Sequence, residues 1–556
     1  MQTTTCFRAL VFLAGALAGS SLPAQTSTTV RAATPTMVAD QSGCPSINYY
    51  DVGPGKSYTA LMQLPWSKLK GCDSVRIYPK PNNAPYYEMI LVSAGTNLAP
   101  SSPTRFMRVI GMPDPVSGDL PIIDGTNATQ LETVLGQTRT LQYWENNNPV
   151  RALYRYGLVM ISGQIGRDMN FGPAGYISIE NLDIRNASYP GTFYDGKFYA
   201  TQPDTTGSYD LFTSCIFAEV AAHLILRNNV IHGCGNGIFI NSKNASLVEL
   251  SQDVLIEGNQ IFDNSNAAGL GGGNGRHEHN SYTEARDIIY QNNVFGDVKT
   301  GAFGDCLKDR SSGLVVRYNV FASNCGNQMS LLNSTGGQAL IWGDPGYSTT
   351  YIYGNVFDVS MQSNTSLALY GGDANSTTTY RQGTLYFYNN TLTVKGDNMT
   401  TSPYPSVFLF HMDLQNAIAD IRNNIFFTTP ATAGAEGKIQ VMSYGAGTAN
   451  LANNWVSPSA AQFWLGHPVA GAVVNGWNTN MGANNNPMMQ QDLRPASGSP
   501  LLDAAAPLAV GVISSGNRPN GVAGLGAGMI RPSDGHLDIG AYEGLPLDTI
   551  LRNGFE

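Results

Sequence analysis

Between residues 276 and 310 the chain concentrates side chains able to move protons or hold anions. They are Arg276, His277, Glu278, His279, Tyr282, Glu284, Asp305, Lys308, Asp309 and Arg310. The whole chain has only 7 histidines, and two of them lie here. One chemistry uses this set well: β-elimination on a uronic acid. It needs a base for the proton α to the carboxylate and a cation to neutralise the carboxylate charge. Lys308, crowded by Arg310, is the expected base. Arg310 is expected to grip the substrate carboxylate bidentately. His279 or Tyr282 would give a proton to the leaving oxygen. Arg276, His277, Glu278, Glu284 and Asp309 complete the expected substrate-binding set.

Other chemistries compete for the same residues. A glycosidase needs paired carboxylates, about 5–5.5 Å apart when retaining and about 6.5–9.5 Å apart when inverting. Glu278, Glu284, Asp305 and Asp309 are the candidates. His277-x-His279 with Glu284 has zinc-ligand character, but no second zinc motif accompanies it, so no metal is assigned. Lys308-Asp309-Arg310 also reads as a plain ion-pair cluster in a turn. The preceding GLGGGNG (269–275) lacks the Gly-Lys-Ser/Thr of a phosphate loop and reads as a flexible loop beside the site.

These residues must be positioned by something, and the sequence shows a repeat. A phrase of β-formers, one or two asparagines and two apolar residues recurs as ILRNNVI (225–231), LIEGNQIF (255–262), IYQNNVF (289–295), VVRYNVF (315–321), YIYGNVF (351–357), YFYNNTL (386–392) and DIRNNIF (420–426). LANNWV (451–456) is a weaker copy. The aligned asparagines are Asn229, Asn259, Asn293, Asn319, Asn355, Asn390, Asn424 and Asn454. Each phrase reads as a short strand ending at a bend whose asparagine takes the left-handed backbone. Stacked about 4.8 Å apart on successive coils, such asparagines donate and accept along a ladder. Alternating apolar residues face inward. The expected fold is therefore all-β: a single parallel β-helix, a solenoid whose coils bury their faces against neighbours. Its right hand follows from the general chirality of parallel crossovers.

Composition agrees with this fold and excludes others. Charged residues are only 13% of 556, Gly numbers 61, and the hydrophobic content of 42% supports a core. The balance of 31 basic and 40 acidic residues gives a net charge of −9, which argues against nucleic acid as a partner. Residues 1–24 read as a secretory signal peptide, with the apolar run Ala9–Gly19 and a small-residue cleavage site at Ala24. No other segment is long and apolar enough for a membrane helix, so a secreted, surface or periplasmic monomer is expected. The mature chain keeps Cys44, Cys72, Cys215, Cys234, Cys306 and Cys325. Exported chains favour disulfides, and the last two neighbouring pairs share one spacing. The expected pairs are Cys44–Cys72, Cys215–Cys234 and Cys306–Cys325. The domain reading is a flexible stretch at 25–45, a β-helix at 46–460, a C-terminal cap at 461–545 and a tail at 546–556. A short amphipathic helix at 59–69 is expected to cap the first coil.

Several motifs together resemble a bacterial family of exported parallel β-helices of the pectin lyase-like fold. They are GPGKSYTALMQLPWSKLKGCDSVRIYP (53–79), PYYE (85–88), DLPIIDG (119–125), EHNSYTEA (278–285), YQNN (290–293) and LKDRSSGLVVRYN (307–319). SPLLDAAAP (499–507), DIGAYE (538–543) and the terminal LRNGFE (551–556) resemble C-terminal segments of such proteins. The resemblance implies a right-handed solenoid, and calcium on Asp/Glu/Asn loops as the one cofactor common there. The sequence itself calls for no cofactor. A looser resemblance, to alginate lyase and chondroitinase B-like lyases, rests on Lys308 lying shortly before Asn319. Those lyases pair the lysine with an arginine on the following coil. The matching stretch here, MSLLNSTGG (329–337), has none, which leaves Arg310 as the substitute. The implied partner is a polysaccharide or cell-surface glycan. The alternative to a lyase is a non-catalytic, adhesin-type glycan-binding solenoid.

Overall fold

The repeating phrase folds as coils of three short strands, one on each of three long sheets. The computed structural model describes residues 37–544 except 93–100, 130–141, 146–147, 153–155, 163–173, 196–204, 244–249, 271–274, 323, 361–364, 375, 396–405, 430–437, 459, 464–470, 481, 483–485 and 525–528. The first sheet has 13 strands, from Asn48–Val52 to Ala472–Asn475. The second has 10, from Ile122–Asp124 to Trp455–Val456, and the third has 11, from Ile90–Val92 to Ala461–Phe463. Neighbours within each long sheet pair in parallel. One coil, for example, runs through Arg286–Gln291, Val294–Phe295 and Leu307–Asp309. The chain is a parallel β-helix.

The ladder forms, and the bend and the ladder are separate jobs. The left-handed residue is the one before each ladder position: Asn228, Gly258, Asn292, Tyr318, Gly354, Asn389, Asn423 and Asn453 all have positive φ. The ladder asparagines themselves do not bend the chain, which corrects the single role read from the sequence. Their side chains point inward and stack. Asn293 donates both its backbone N–H and its Nδ2 to Asn319 Oδ1, at 3.0 and 2.9 Å. Asn319 Nδ2 in turn reaches Asn355 Oδ1 at 3.0 Å and the Tyr290 carbonyl at 3.0 Å. The ladder runs on past Asn454 to Asn480. A buried amide with every polar atom paired costs little, whereas one orphaned group costs about 1–3 kcal/mol. Beside it Phe295, Phe321 and Phe357 stack at 4.7 Å, matching the coil rise.

The N-terminal end departs from expectation in two places. The segment 59–69 is not one helix but two 3-10 turns, Leu61–Gln63 and Trp66–Lys68. Pro65 between them lacks an N–H and blocks helix propagation. Trp66 is nonetheless fully buried and donates to the Leu61 carbonyl, so the turns still close the first coils. Residues 37–44 are not a free tail: Gln41 bonds the Phe106 carbonyl and Cys44 is bonded to Cys72. The C-terminal region folds back over the solenoid. After contributing Ala461–Phe463 and Ala472–Asn475 to the solenoid, it returns along the bend column on the outside. Asn292, Asn389, Asn423 and Asn453 use their side-chain amides to hold the carbonyls of Val522, Asp538, Ala506 and Ala504. The other disulfides join Cys215 to Cys234 and Cys306 to Cys325. Disulfides fit an oxidising compartment. Among the described residues no helix is long and apolar enough to cross a membrane. The expected signal peptide at 1–24 and the expected tail at 546–556 lie outside the described residues.

Candidate functional site

Strand alternation sorts the 276–310 cluster. Successive residues of a strand point to opposite faces of its sheet. On the third sheet Phe217, Phe239, Tyr282, Lys308 and Ser330 occupy matching positions on successive coils. Their flanking residues, such as Ile238, Thr283, Leu307 and Asp309, are buried inside the solenoid. The column through Tyr282 and Lys308 therefore faces outward. Arg310, two residues beyond Lys308, faces the same way.

Tyr282, Lys308 and Arg310 meet there. Arg310 Nε donates to the Tyr282 hydroxyl oxygen at 2.9 Å. Lys308 Nζ and the Arg310 guanidinium lie 5.2 and 5.5 Å from the centroid of the Tyr282 ring. Both cations then share one carboxylate, Asp373. Lys308 Nζ is 3.1 Å from Asp373 Oδ2, and Arg310 Nη2 is 2.8 Å from Oδ2 and 2.7 Å from Oδ1. Burial works against the charge on Asp373, yet Lys308 and Arg310 hold its carboxyl below the usual range. The nearest charged partner of Lys308 is thus Asp373, which the sequence reading did not include.

His279 stands behind Tyr282, edge to face at 5.6 Å between ring centroids. It is fully enclosed, and its Nδ1 accepts the Asp305 backbone N–H at 2.8 Å. Burial, then the charges of Lys308 and Arg310, push its pKa well down and keep the ring neutral. With Nδ1 accepting, the proton sits on Nε2, which has no hydrogen-bond partner among the described residues. His279 supports Tyr282 from behind and does not reach outward to a sugar. Asp305 is buried beside it, its carboxyl pushed up by burial against the pull of Lys308, and it accepts the Asn327 N–H at 3.0 Å.

Two of the residues expected to bind substrate do something else. Asp309 points into the solenoid, where it is fully buried and paired with Arg381 at 3.3 Å. It also accepts from Thr283 and Ser311 at 2.8 Å each. Alternation separates it from Lys308 and Arg310, so the three do not form one turn cluster. Glu284 is consumed by backbone: Thr335 and Gly336 donate to it at 2.8 and 2.9 Å, and Gly337 donates as well. It anchors the loop after Met329–Leu331. A side chain at Gly336 would collide with the Ser242 carbonyl, which accounts for a glycine there. These two losses leave the hydrolase reading with Glu278 and Asp305 only.

Arg276 and His277 are exposed at the entry to the strand, with Arg276 5.8 Å over the Phe303 ring. Glu278 follows. Burial pushes its carboxyl up to about 7; its own N–H and Asn266 oppose this, and Asp210 adds to it. Among the described residues no group of three His, Cys, Asp or Glu is placed to hold a metal ion. Glu284 is held by amides, and buried His279 is parted from exposed His277, so the zinc set does not assemble. Of GLGGGNG, residues 271–274 lie outside the described residues.

Sequence reasoning missed Asp373 and its support. Asn333 clamps that turn from both sides: its Oδ1 accepts the Asp373 N–H at 3.1 Å and its Nδ2 donates to the Ala374 carbonyl at 2.7 Å. The only available signal was a carboxylate following two glycines, Gly371-Gly372-Asp373, at the end of the strand Thr365–Tyr370.

No protein-family model matches the chain, and no curated protein matches it. Among solved structures it is similar to one described as the crystal structure of pectate lyase Pel9A. That likeness has a TM-score of 0.37 and 9% identity, and covers 91% of this chain and 98% of that one.

Proposed function

We propose that the protein is an exported carbohydrate-active β-helix that cleaves a uronic-acid polymer by β-elimination on the outer face of its third sheet. The observation that carries this reading is the meeting of Tyr282, Lys308 and Arg310 on one outward column. Scattered to different sides, they would not support an enzyme. Each has a role suited to its geometry. The Tyr282 oxygen already accepts from Arg310, so its own hydrogen is the one to give away. Lys308 stands beside it as the base: as it leaves Asp373 it gives one proton to solvent, and the lone pair of the neutral amine then takes the C5 proton. In the reaction the C5–H bond breaks, its electrons form the C4=C5 double bond, and the oxygen on C4 departs with the Tyr282 proton. Arg310 neutralises the carboxylate as charge develops. The local cations also offset the overall charge of −9, which otherwise repels a polyanion.

One observation favours a second reading, a glycan-binding solenoid without turnover. Both cations are already paired with Asp373, as a binding surface would have them. The two readings separate in one assay. Purified protein is incubated with a panel of uronic-acid polysaccharides while the ultraviolet absorbance of an unsaturated uronate is followed. A rising trace on one substrate is the expected result. A flat trace with no new reducing ends would leave the binding reading in place.

A further inference from the structure

Asp373 is the outermost member of its cluster. Its side chain is 39% exposed, while those of Lys308 and Arg310 are 13% and 4% exposed. The two cations lie against the sheet, and a ligand approaching from solvent meets Asp373 before it meets them. The contact is of the kind an arginine and a lysine make with any carboxylate: Arg310 Nη2 within 2.8 Å of both oxygens and Lys308 Nζ at 3.1 Å from one. The remaining Arg310 contacts fix the guanidinium in place. Nε goes to Tyr282 at 2.9 Å and Nη1 to the Asn333 carbonyl at 2.6 Å. The seat is thus preorganised and does not depend on Asp373 for its shape.

The backbone under Asp373 is also fixed. Asn333 holds residues 373 and 374, and Asp413 Oδ2 accepts the Gly372 N–H at 3.0 Å. A side chain at Gly372 would strike Tyr380 and Asn333, so the turn is pressed down onto them. Uncovering the cations therefore requires only rotation of the Asp373 side chain into solvent, with the turn left where it is.

We propose that Asp373 fills, from within the chain, the seat of a sugar carboxylate, and that Lys308 and Arg310 bind a carboxylated sugar by exchanging Asp373 for it. This deepens the uronic-acid reading of the same face and rests on it for the ligand class. It also makes Asp373 a determinant of selectivity. Only a ligand that offers a carboxylate and further contacts to the sheet outcompetes a carboxylate already tethered there.

The test is a calorimetric titration of wild type, Asp373→Ala and Asp373→Asn with a galacturonate tetramer at fixed salt. The controls are the carboxyl-reduced tetramer and inorganic phosphate, and each protein is melted to establish that it is folded. The expected result is a gain of about ten-fold or more in tetramer affinity for Asp373→Ala, a smaller gain for the shape-conserving Asp373→Asn, and none for the reduced tetramer. Unchanged or weaker binding by the folded variants would overturn the proposal. An equal gain for phosphate would also overturn it, by showing a bare anion hole with no sugar seat. Because the readout is binding, a protein that turns over no polysaccharide but shows the gain loses the lyase reading and keeps this one.

Discussion

Two ion pairs built from adjacent residues of one strand lie on opposite faces of the third sheet, and they behave differently. Asp309 pairs inward with Arg381, both fully buried, while Lys308 and Arg310 pair outward with the half-exposed Asp373. Inside, burial wins: it pushes the Asp309 carboxyl up even though Arg381 and the hydroxyls of Ser311 and Thr283 pull it down. Outside, charge wins: the two cations hold Asp373 down against partial burial. The inner pair is the cost of placing polar groups in a core and is structural. The outer trio keeps an ionised group in reach of solvent, where a ligand can compete for its partners. The same alternation that builds the solenoid thus divides LKDR into a scaffold residue and two candidate site residues.

Breaking the inner pair gives the largest expected effect. Arg381→Met strands a buried carboxylate and is expected to cost about 3–5 kcal/mol in urea unfolding. Adding Asp309→Leu to it should recover part of that loss, since two matched apolar groups replace the pair; further loss would mean that the network is needed for more than charge balance. Next comes the ladder. Asn319→Ala removes the acceptor for two donors of Asn293, and is expected to cost about 2 kcal/mol by the same measurement. Lys308→Ala cuts the partly exposed outer pair and should change stability by less than about 1 kcal/mol.

Stability is also expected to tilt with pH. Glu278 is pushed up to about 7 in the fold from an ordinary 4.5. Between those values the folded state holds the proton more tightly than the unfolded chain, so the contribution of Glu278 is full below pH 4.5 and is lost as pH rises through about 7. Glu278→Gln removes this tilt. Melting temperatures of the variant and wild type should diverge least in acid and most above neutrality, with the variant higher. Parallel curves would show that Glu278 titrates normally.

The comparison also shows what a sequence discloses. The ladder was readable because each coil repeats its own phrase, and a periodic feature survives any loop length. The meeting of Tyr282, Lys308 and Arg310 was readable because EHNSYTEA and LKDR lie on consecutive coils, one strand phrase apart. Asp309 and Glu284 were misplaced because the boundaries of the short strands Leu307–Asp309 and Ser281–Thr283, and hence which residues face inward, have no marker in the sequence. Asp373 and Arg381 were invisible because each enters from a coil two turns further along, through loops whose lengths follow no pattern. Pro65 was a visible helix breaker that the amphipathic spacing of 59–69 overrode. The return of the C-terminal region depends on amides of bend asparagines such as Asn389, and nothing in their repetition says that a distant segment will use them.

In the proposed function the outward trio acts on substrate and the inward pair does not. The most direct test is the initial rate of unsaturated product formation by Lys308→Ala against wild type, on the polysaccharide that wild type cleaves best. The expected result is a loss of about 10²-fold or more, the range for removing an acid–base group, in a protein whose melting temperature is unchanged. A variant that melts normally and keeps its rate would contradict it.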